Sequence, residues 1–366
     1  MKNENAAGCG TKKQFKVAVI GCGRISVMHF DGIARSPLAQ LVACCDIRPG
    51  RAEAAAKKYG CKAYTSYEEM IDAERPDAVH ICLPHYLHAP VAQYAISRGV
   101  NVLTEKPMTI SLADAEKTVA MAKEKGVRYH VIFQCRYNAA SKLVKMRAEE
   151  GARGGKLGKL LCASSFLTWS RSDEYYSESD WKGTWDKEGG GVVIDQAIHS
   201  IDLVNWIVNS PVKRVSVSMA NRGHNIVKVE DSADGLIEYE NGVKYCFFCT
   251  NNFCTDEPIE IKLVFERGTA VFSYDEALIT YADGSPAERV EKDKNLQAVE
   301  GGKDYWGFRH AEQIAKFYEA LAGKRAPELT GEEALKTHRL ICAIYEDGKK
   351  HFTATRKRNE NKEIKL

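Results

Sequence analysis

The sequence predicts two domains: an α/β domain on a doubly wound parallel sheet, then an α+β domain with a large, open, mostly antiparallel sheet. Three observations carry this prediction. Short apolar runs alternate with helical patterns through the first third of the chain, a glycine-rich turn directly follows the first run, and after about Asn138 closely spaced strand patterns take over. Alternating strands and helices of these lengths make βαβ units, whose helices cover both faces of a parallel sheet.

In the first domain the buried strands are expected at 15–20, 41–45, 78–83, 100–103 and 129–133, with helices at 51–59, 89–98 and 112–125. In the second, one strong apolar helix at 192–208 interrupts strands at 215–219, 233–239, 243–249, 259–265 and 269–274. Glu240-Asn241-Gly242 supplies a hairpin turn. Helices at 307–322 and 331–345 close the chain. The expected boundaries are a tail at 1–14, the first domain at 15–137, the second at 138–348 and a charged tail at 349–366.

A chain of 366 residues fits two domains at roughly 150 residues each. Hydrophobic residues at 44% and charged residues at 28% are ordinary globular usage, which excludes disordered, collagen-like and coiled-coil classes. Lys plus Arg (52) against Asp plus Glu (49) leaves a net charge of +3, too little for a field that gathers nucleic-acid phosphates. Residues 1–14 are polar, without the apolar core of a signal peptide, and no apolar stretch has the length of a membrane helix. The cytosol is the expected compartment, with neither nucleic acid nor membrane as partner. The 12 cysteines then read as reduced thiols that pack as small hydrophobes.

Gly21-Cys22-Gly23-Arg24-Ile25-Ser26 follows the first strand and opens a helix. Gly21 permits a tight turn, Gly23 lets a pyrophosphate approach the backbone, and the helix N-terminus offers unpaired N–H groups. Asp46 ends the second strand, about 20 residues on, where an acidic side chain accepts from a ribose hydroxyl. That favours NAD over NADP, and neighbouring Arg48 softens the preference. The segments 83–88, with Pro84 and His88, and 104–107, with Glu105 and Lys106, both follow strands and so face one crevice. Lys106 fits either a surface lysine before a turn proline or a group that stabilises a developing alkoxide.

Gly189-Gly190-Gly191 leads into the strong helix, where Asp195, His199 and Asp202 stand at i, i+4 and i+7. That stripe fits a solvent face or a buried site in which Asp holds a proton-accepting His. Cys246 and Cys249, with Cys254 beyond, resemble a metal site in spacing only, because residues three apart on a strand face opposite ways. No metal is expected. A Ser-His-Asp hydrolase fares no better, since the sequence has no Gly-x-Ser-x-Gly elbow.

Together these residues resemble the Gfo/Idh/MocA oxidoreductases over roughly residues 15–348. The resemblance is carried by the glycine motif with His29, Pro84 and His88, Glu105-Lys106-Pro107, Arg136-Tyr137-Asn138, Gly189-Gly190-Gly191 through Asp195 and His199, and Val229-Glu230-Asp231-Ser232-Ala233. His85 stands where asparagine is frequent, Ala139 where proline is frequent, and Ser26 where Gly or Ala also occurs. The resemblance implies a Rossmann domain followed by an open antiparallel sheet that often forms an oligomer interface, hence a homo-oligomer.

It also implies NAD, held tightly enough to copurify. Gly21, Gly23, Arg24 and Ile25 would cradle the pyrophosphate, Asp46 and Arg48 would flank the ribose, and Pro84, His88, Glu105 and Lys106 would lie on the nicotinamide side. Lys106, Asp195 and His199 form the implied catalytic group; in one assignment His199 takes a hydroxyl proton, Asp195 orients it and Lys106 stabilises alkoxide character, and the roles of Lys106 and His199 can be exchanged. Arg136, Tyr137 and Trp185 join Asp195 and His199 on the substrate side. Aromatic residues from Phe166 to Trp185 fit either packing of the loop onto the sheet or contact with a sugar face; within the sugars and cyclitols that the resemblance implies, they tilt the reading toward a sugar or glycoside oxidised at a ring hydroxyl such as carbon 3 of a glucoside. An inositol substrate, or glycoside cleavage through a transient keto-sugar, is the alternative.

Overall fold

The computed structural model describes residues 14–292 and 309–352. The expected N-terminal tail and residues 353–366 of the charged C-terminal tail lie outside the described residues, apart from Gln14.

The first sheet contains β1 (Phe15–Ile20), β2 (Ala39–Cys45), β3 (Lys62–Tyr64), β4 (Ala78–Ile81), β5 (Asn101–Thr104) and β6 (Tyr129–Val131). They lie in the order β3-β2-β1-β4-β5-β6, all parallel. Around them are α1 (Ser26–Arg35), α2 (Pro49–Tyr59), α3 (Tyr67–Glu74), α4 (His88–Ser97) and α5 (Leu112–Lys125). Strand order reverses between β1 and β4, so a crevice opens outside their carboxyl ends. The glycine loop, residues 82–87 and Glu105-Lys106 all leave the sheet there. α5 shows why boundaries were readable: the Ser111 side chain accepts from Asp114 N, and Gly126 ends the helix at φ 65°.

The second sheet holds β7 (Leu160–Thr168), β8 (Val212–Ala220), β9 (Ser232–Tyr239), β10 (Lys244–Thr250), β11 (Glu260–Phe265), β12 (Gly268–Phe272), β13 (Ala277–Tyr281) and β14 (Glu288–Val290). Its order is β14-β13-β12-β11-β7-β10-β9-β8, antiparallel except for the β7–β10 pair. Burial alternates along each strand: Tyr245, Phe247 and Cys249 are buried, while Lys244 and Cys246 are exposed. The inner face packs against α6 (Ala139–Ala152), α8 (Ile198–Val208) and α10 (Gly331–Gly348), and a short α7 (Asp173–Ser177) lies between β7 and α8 in the chain. On the outer face Phe166 and Leu161 are half exposed. Cys246 and Cys249 do face opposite ways.

Two features depart from the sequence reading. The strong helix begins with a π-helical turn, Val193–Ala197, before α8. And α9 (His310–Leu321), expected in the second domain, packs on α1 of the first. Ile314, Phe317 and Tyr318 join Val17, Val19 and Phe30 in one buried cluster. Gly32 permits this contact, because a Cβ there would lie 2.5 Å from Ile314 Cδ1. Among the described residues no helix is long and apolar enough to cross a membrane.

Candidate active site

The crevice deepens into a cavity of about 1020 Å³ whose walls come from both domains. Gly21, Gly23, Arg24, Ile25, Asp46, Arg48, Pro84, Glu105, Lys106, Asp195 and His199 all line it. Gly21 has φ +95°, and a Cβ there would lie 2.3 Å from Cys82 O, so only glycine lets the turn cross the end of β4. At Gly23 a Cβ would meet nothing within 4 Å, which leaves the loop backbone open on the cavity side. Ser26 Oγ donates to Gly23 O at 2.6 Å, so the small third motif residue closes the loop on itself.

Asp46 does more than wait for a ribose. Its carboxylate accepts from Cys22 N at 3.0 Å and Arg48 N at 2.9 Å, tying the glycine loop to the end of β2. A carboxylate has about four acceptor sites, so capacity remains for a hydroxyl. Backbone open to an anion at the start of α1, with an acceptor beside it, is the donor and acceptor set that a dinucleotide requires.

Where the two domains meet, Lys106 Nζ donates to Asp195 O at 2.6 Å and to Asp195 Oδ1 at 3.0 Å. Asp195 Oδ2 accepts from Gln196 Nε2 at 2.6 Å and Tyr175 OH at 3.3 Å. Burial works against the Asp195 charge, but the Lys106 ammonium, helped by Lys182, holds the carboxyl well below its usual range. His199 is buried beside them, its ring edge-on to Tyr274. Burial, then the Lys106 charge, pushes its pKa down to about 3, so the imidazole is neutral and has a lone pair to offer. His85 is likewise pushed down to about 3 by burial. It stacks at a tilt on Trp181, ring centroids 4.8 Å apart, with Nδ1 against Glu188 O.

Glu105 is held by histidines from two distant helices. His29 Nε2 of α1 and His310 Nε2 of α9 donate to Glu105 Oε1 at 3.0 and 2.8 Å. Burial opposes its charge, but His310 and His29 more than offset that and keep the carboxyl well below its usual range. His29 Nδ1 continues to His80 Nδ1 at 2.9 Å, and His80 Nε2 to Tyr318 OH at 2.7 Å.

Several expected contacts fall elsewhere. His88 is wholly buried behind the wall, its ring nitrogens 2.7 Å from Pro107 O and 2.8 Å from Leu83 O. It joins the two crevice segments from behind. Arg136 does not reach the cavity: it donates to Asp202 at 2.6 and 2.8 Å and to Glu333 at 3.1 Å, a buried pair that ties α8 to α10. Asp202 thereby leaves the polar stripe, because a buried guanidinium requires a carboxylate partner. Tyr137 is core, and Trp185 packs edge-on against Tyr345 and Phe352. Of the aromatic stretch, Trp169, Tyr175 and Trp181 line the cavity, whereas Phe166 points out from the sheet. Ile47, Arg51, Tyr67, His85, Lys182, Gln196 and Tyr274 also line it, unassigned by the sequence reading. Only His85 had a signal, as a departure beside Pro84.

Comparison with known proteins fits this geometry. The family model described as "Oxidoreductase family, NAD-binding Rossmann fold" matches residues 15–133, and that of the "GFO/IDH/MocA C-terminal domain" matches 146–271. The chain is 28% identical over 250 residues to D-glucoside 3-dehydrogenase of Escherichia coli, covering 63% of this chain and 69% of that protein. To inositol 2-dehydrogenase of Corynebacterium glutamicum it is 27% identical over 288 residues, covering 74% and 77%. Among solved structures, the WlbA dehydrogenase from Bordetella pertussis in complex with NADH and UDP-GlcNAcA is similar at TM-score 0.79 and 27% identity, covering 92% of this chain and 97% of that one.

Proposed function

Because the chain belongs to the Gfo/Idh/MocA family of NAD-dependent oxidoreductases, we propose that it oxidises a secondary ring hydroxyl of a sugar or glycoside to a ketone. The observation that carries this reading is Lys106 Nζ on Asp195, beside neutral His199, at the seam of the two domains. When bound, NAD supplies the hydride acceptor.

His199, a neutral imidazole beside Lys106 and Asp195, accepts the hydroxyl proton, and Lys106 stabilises the negative charge that develops on the same oxygen. Asp195 keeps the ammonium in place through two contacts. Gly21, Gly23, Arg24 and Ile25 hold the pyrophosphate, and Asp46 with Arg48 meets the ribose. Pro84, Glu105 and Lys106 form the wall on the nicotinamide side. Trp169, Tyr175 and Trp181 offer apolar faces to the C–H side of a pyranose or an aglycone.

The glycoside choice, oxidised at carbon 3, draws on those rings and on the likeness to D-glucoside 3-dehydrogenase. The likeness to inositol 2-dehydrogenase, over a larger share of the chain, favours a cyclitol as the second reading. Purified protein incubated with NAD, a ketone acceptor and a panel of free sugars, inositols and aryl or alkyl glycosides decides between them by product mass. Loss of two hydrogens from a glycoside is expected. Preference for inositols with no such loss overturns the choice, and cleavage of a glycoside without net NADH points to a transient keto-sugar. The outer face carrying Leu161 and Phe166 supports a homo-oligomer, and a monomer mass by light scattering at micromolar concentration would refute it.

A further inference from the structure

The helix that carries Asp195 and His199 starts with four N–H groups that have no partner within the helix. All four find one in two residues far away in sequence. Glu230, wholly buried just before β9, accepts from Gly191 N at 3.0 and 2.9 Å and from Val193 N at 3.1 Å through its carboxylate. Its backbone carbonyl accepts from Val192 N at 3.2 Å. Tyr345 of α10 completes the set: its hydroxyl accepts from Ile194 N at 3.1 Å and donates to Glu230 Oε1 at 2.7 Å.

The glycine run is shaped to this pair. A Cβ on Gly190 would lie 2.0 Å from the Tyr345 hydroxyl, and one on Gly191 would lie 1.9 Å from Glu230 O. The first intrahelical bond, Asp195 N to Gly191 O at 3.0 Å, starts directly above the clamp. The π-helical turn follows and carries Asp195, with His199 in the α-helical turn after it. Glu230 and Tyr345 line no part of the cavity.

We propose that Glu230, braced by Tyr345, is a positioning residue: it clamps the first turn of this helix and so sets Asp195 and His199 against Lys106. The role rests on the oxidoreductase reading above. A glutamine at 230 keeps the volume but fixes an N–H donor toward Gly191 N at every pH, where the ionised carboxylate accepts.

The test compares wild type, Glu230→Gln and Tyr345→Phe as full-length proteins, reading NAD affinity, kcat, KM, thermal midpoint and amide hydrogen exchange across residues 188–198. For Glu230→Gln the expected result is NAD affinity within about twofold of wild type, kcat lower by at least about tenfold, KM little changed, and faster exchange at 191–194. Tyr345→Phe should move each quantity the same way by less, and it decides the matter if Glu230→Gln fails to fold. Turnover within about twofold of wild type in the folded variants overturns the proposal. So does a loss of kcat that only follows loss of NAD binding and thermal stability. Should wild type turn over no sugar, the oxidoreductase reading falls instead, and the exchange data still judge the clamp: unchanged exchange at 191–194 refutes it.

Discussion

Replacing Lys106 by methionine removes one charge from the site while keeping the side chain's length and apolar stem. Lys106 and Asp195 have side chains only 8% and 16% exposed, and Lys106 makes both of its contacts to Asp195. After the change Asp195 retains Gln196 and Tyr175 as donors but loses its hydrogen-bonded opposite charge, and of the two ammonium groups that held it only Lys182 remains. Leaving a buried charge unpaired costs about 3–5 kcal/mol. The carboxyl escapes part of that by taking a proton, which reverses its effect on stability. In wild type its depressed pKa gives stability that is present above the unfolded value, about 3.9, and is lost as pH falls through the folded value. In Lys106→Met burial dominates and raises the pKa, so stability is present at low pH and is lost as pH rises. The stability gap between the two proteins should therefore widen from about pH 4 upward. Turnover should fall by about 10²–10³, the usual cost of removing one donor aimed at a developing oxyanion. Calorimetry at several pH values and single-turnover NADH absorbance at saturating NAD check both. Turnover within about tenfold of wild type, with cofactor bound, refutes the role given to Lys106, and a gap independent of pH refutes the coupling to Asp195.

Three further outcomes are expected. Asp46→Ala should weaken NAD binding more than NADP binding, read by titration calorimetry, because it removes both the proposed ribose acceptor and the anchor of the Cys22 amide; tighter NADP binding by wild type contradicts this. Gly191→Ala forces a Cβ toward Glu230 O, so stability should fall near the upper end of the about 1–3 kcal/mol range for overpacking, and an unchanged thermal midpoint would count against the close approach. Glu230, raised to about 7 by burial despite Tyr345 and the Val193 and Gly191 amides, binds its proton more tightly folded than unfolded. Its contribution is greatest below the unfolded pKa and declines as pH rises to about 7, so wild type should lose roughly 3 kcal/mol relative to Glu230→Gln across that window. Nearby Glu188, Tyr176, Tyr345 and Cys249 remain in both proteins. A pH-independent difference in urea unfolding rejects the assignment.

Local chemistry explains what the sequence disclosed. The parallel strands are continuous apolar runs, and α5 is bounded by Ser111 and Gly126, so both were visible without neighbours. β3 and α3 were not, because three residues of edge strand carry no period and the helix buries only Met70 and Ile71. The glycine motif, Asp46, Lys106, Asp195 and His199 were legible because each follows a strand or sits on a strongly patterned helix. Arg136 misled, since a conspicuous arginine after β6 gives no sign that its partners are Asp202 and Glu333, 66 and 197 residues away. His88 misled for a related reason: its motif placed the residue at the crevice but not the direction of its ring. The lining by Ile47, Tyr67 and Tyr274 depends on how loops fold over the cavity, which no local pattern encodes. The π-helical turn was hidden too: its first amides bond to Glu230 and Tyr345, which lie far away in the sequence.

The grip of His310 on Glu105 also constrains the order of assembly. During synthesis the whole parallel sheet, with its glycine loop, leaves the ribosome 179 residues before α9 begins, since β6 ends at Val131 and α9 starts at His310. Until then one face of that sheet lacks Ile314, Phe317 and Tyr318, and the Glu105 carboxylate has His29 alone of its two imidazole partners. The cofactor half is therefore not a detachable module. A gene fragment ending after β6 would encode an incomplete fold, and a chimaera that exchanges substrate domains would have to bring its own α9 or keep this one.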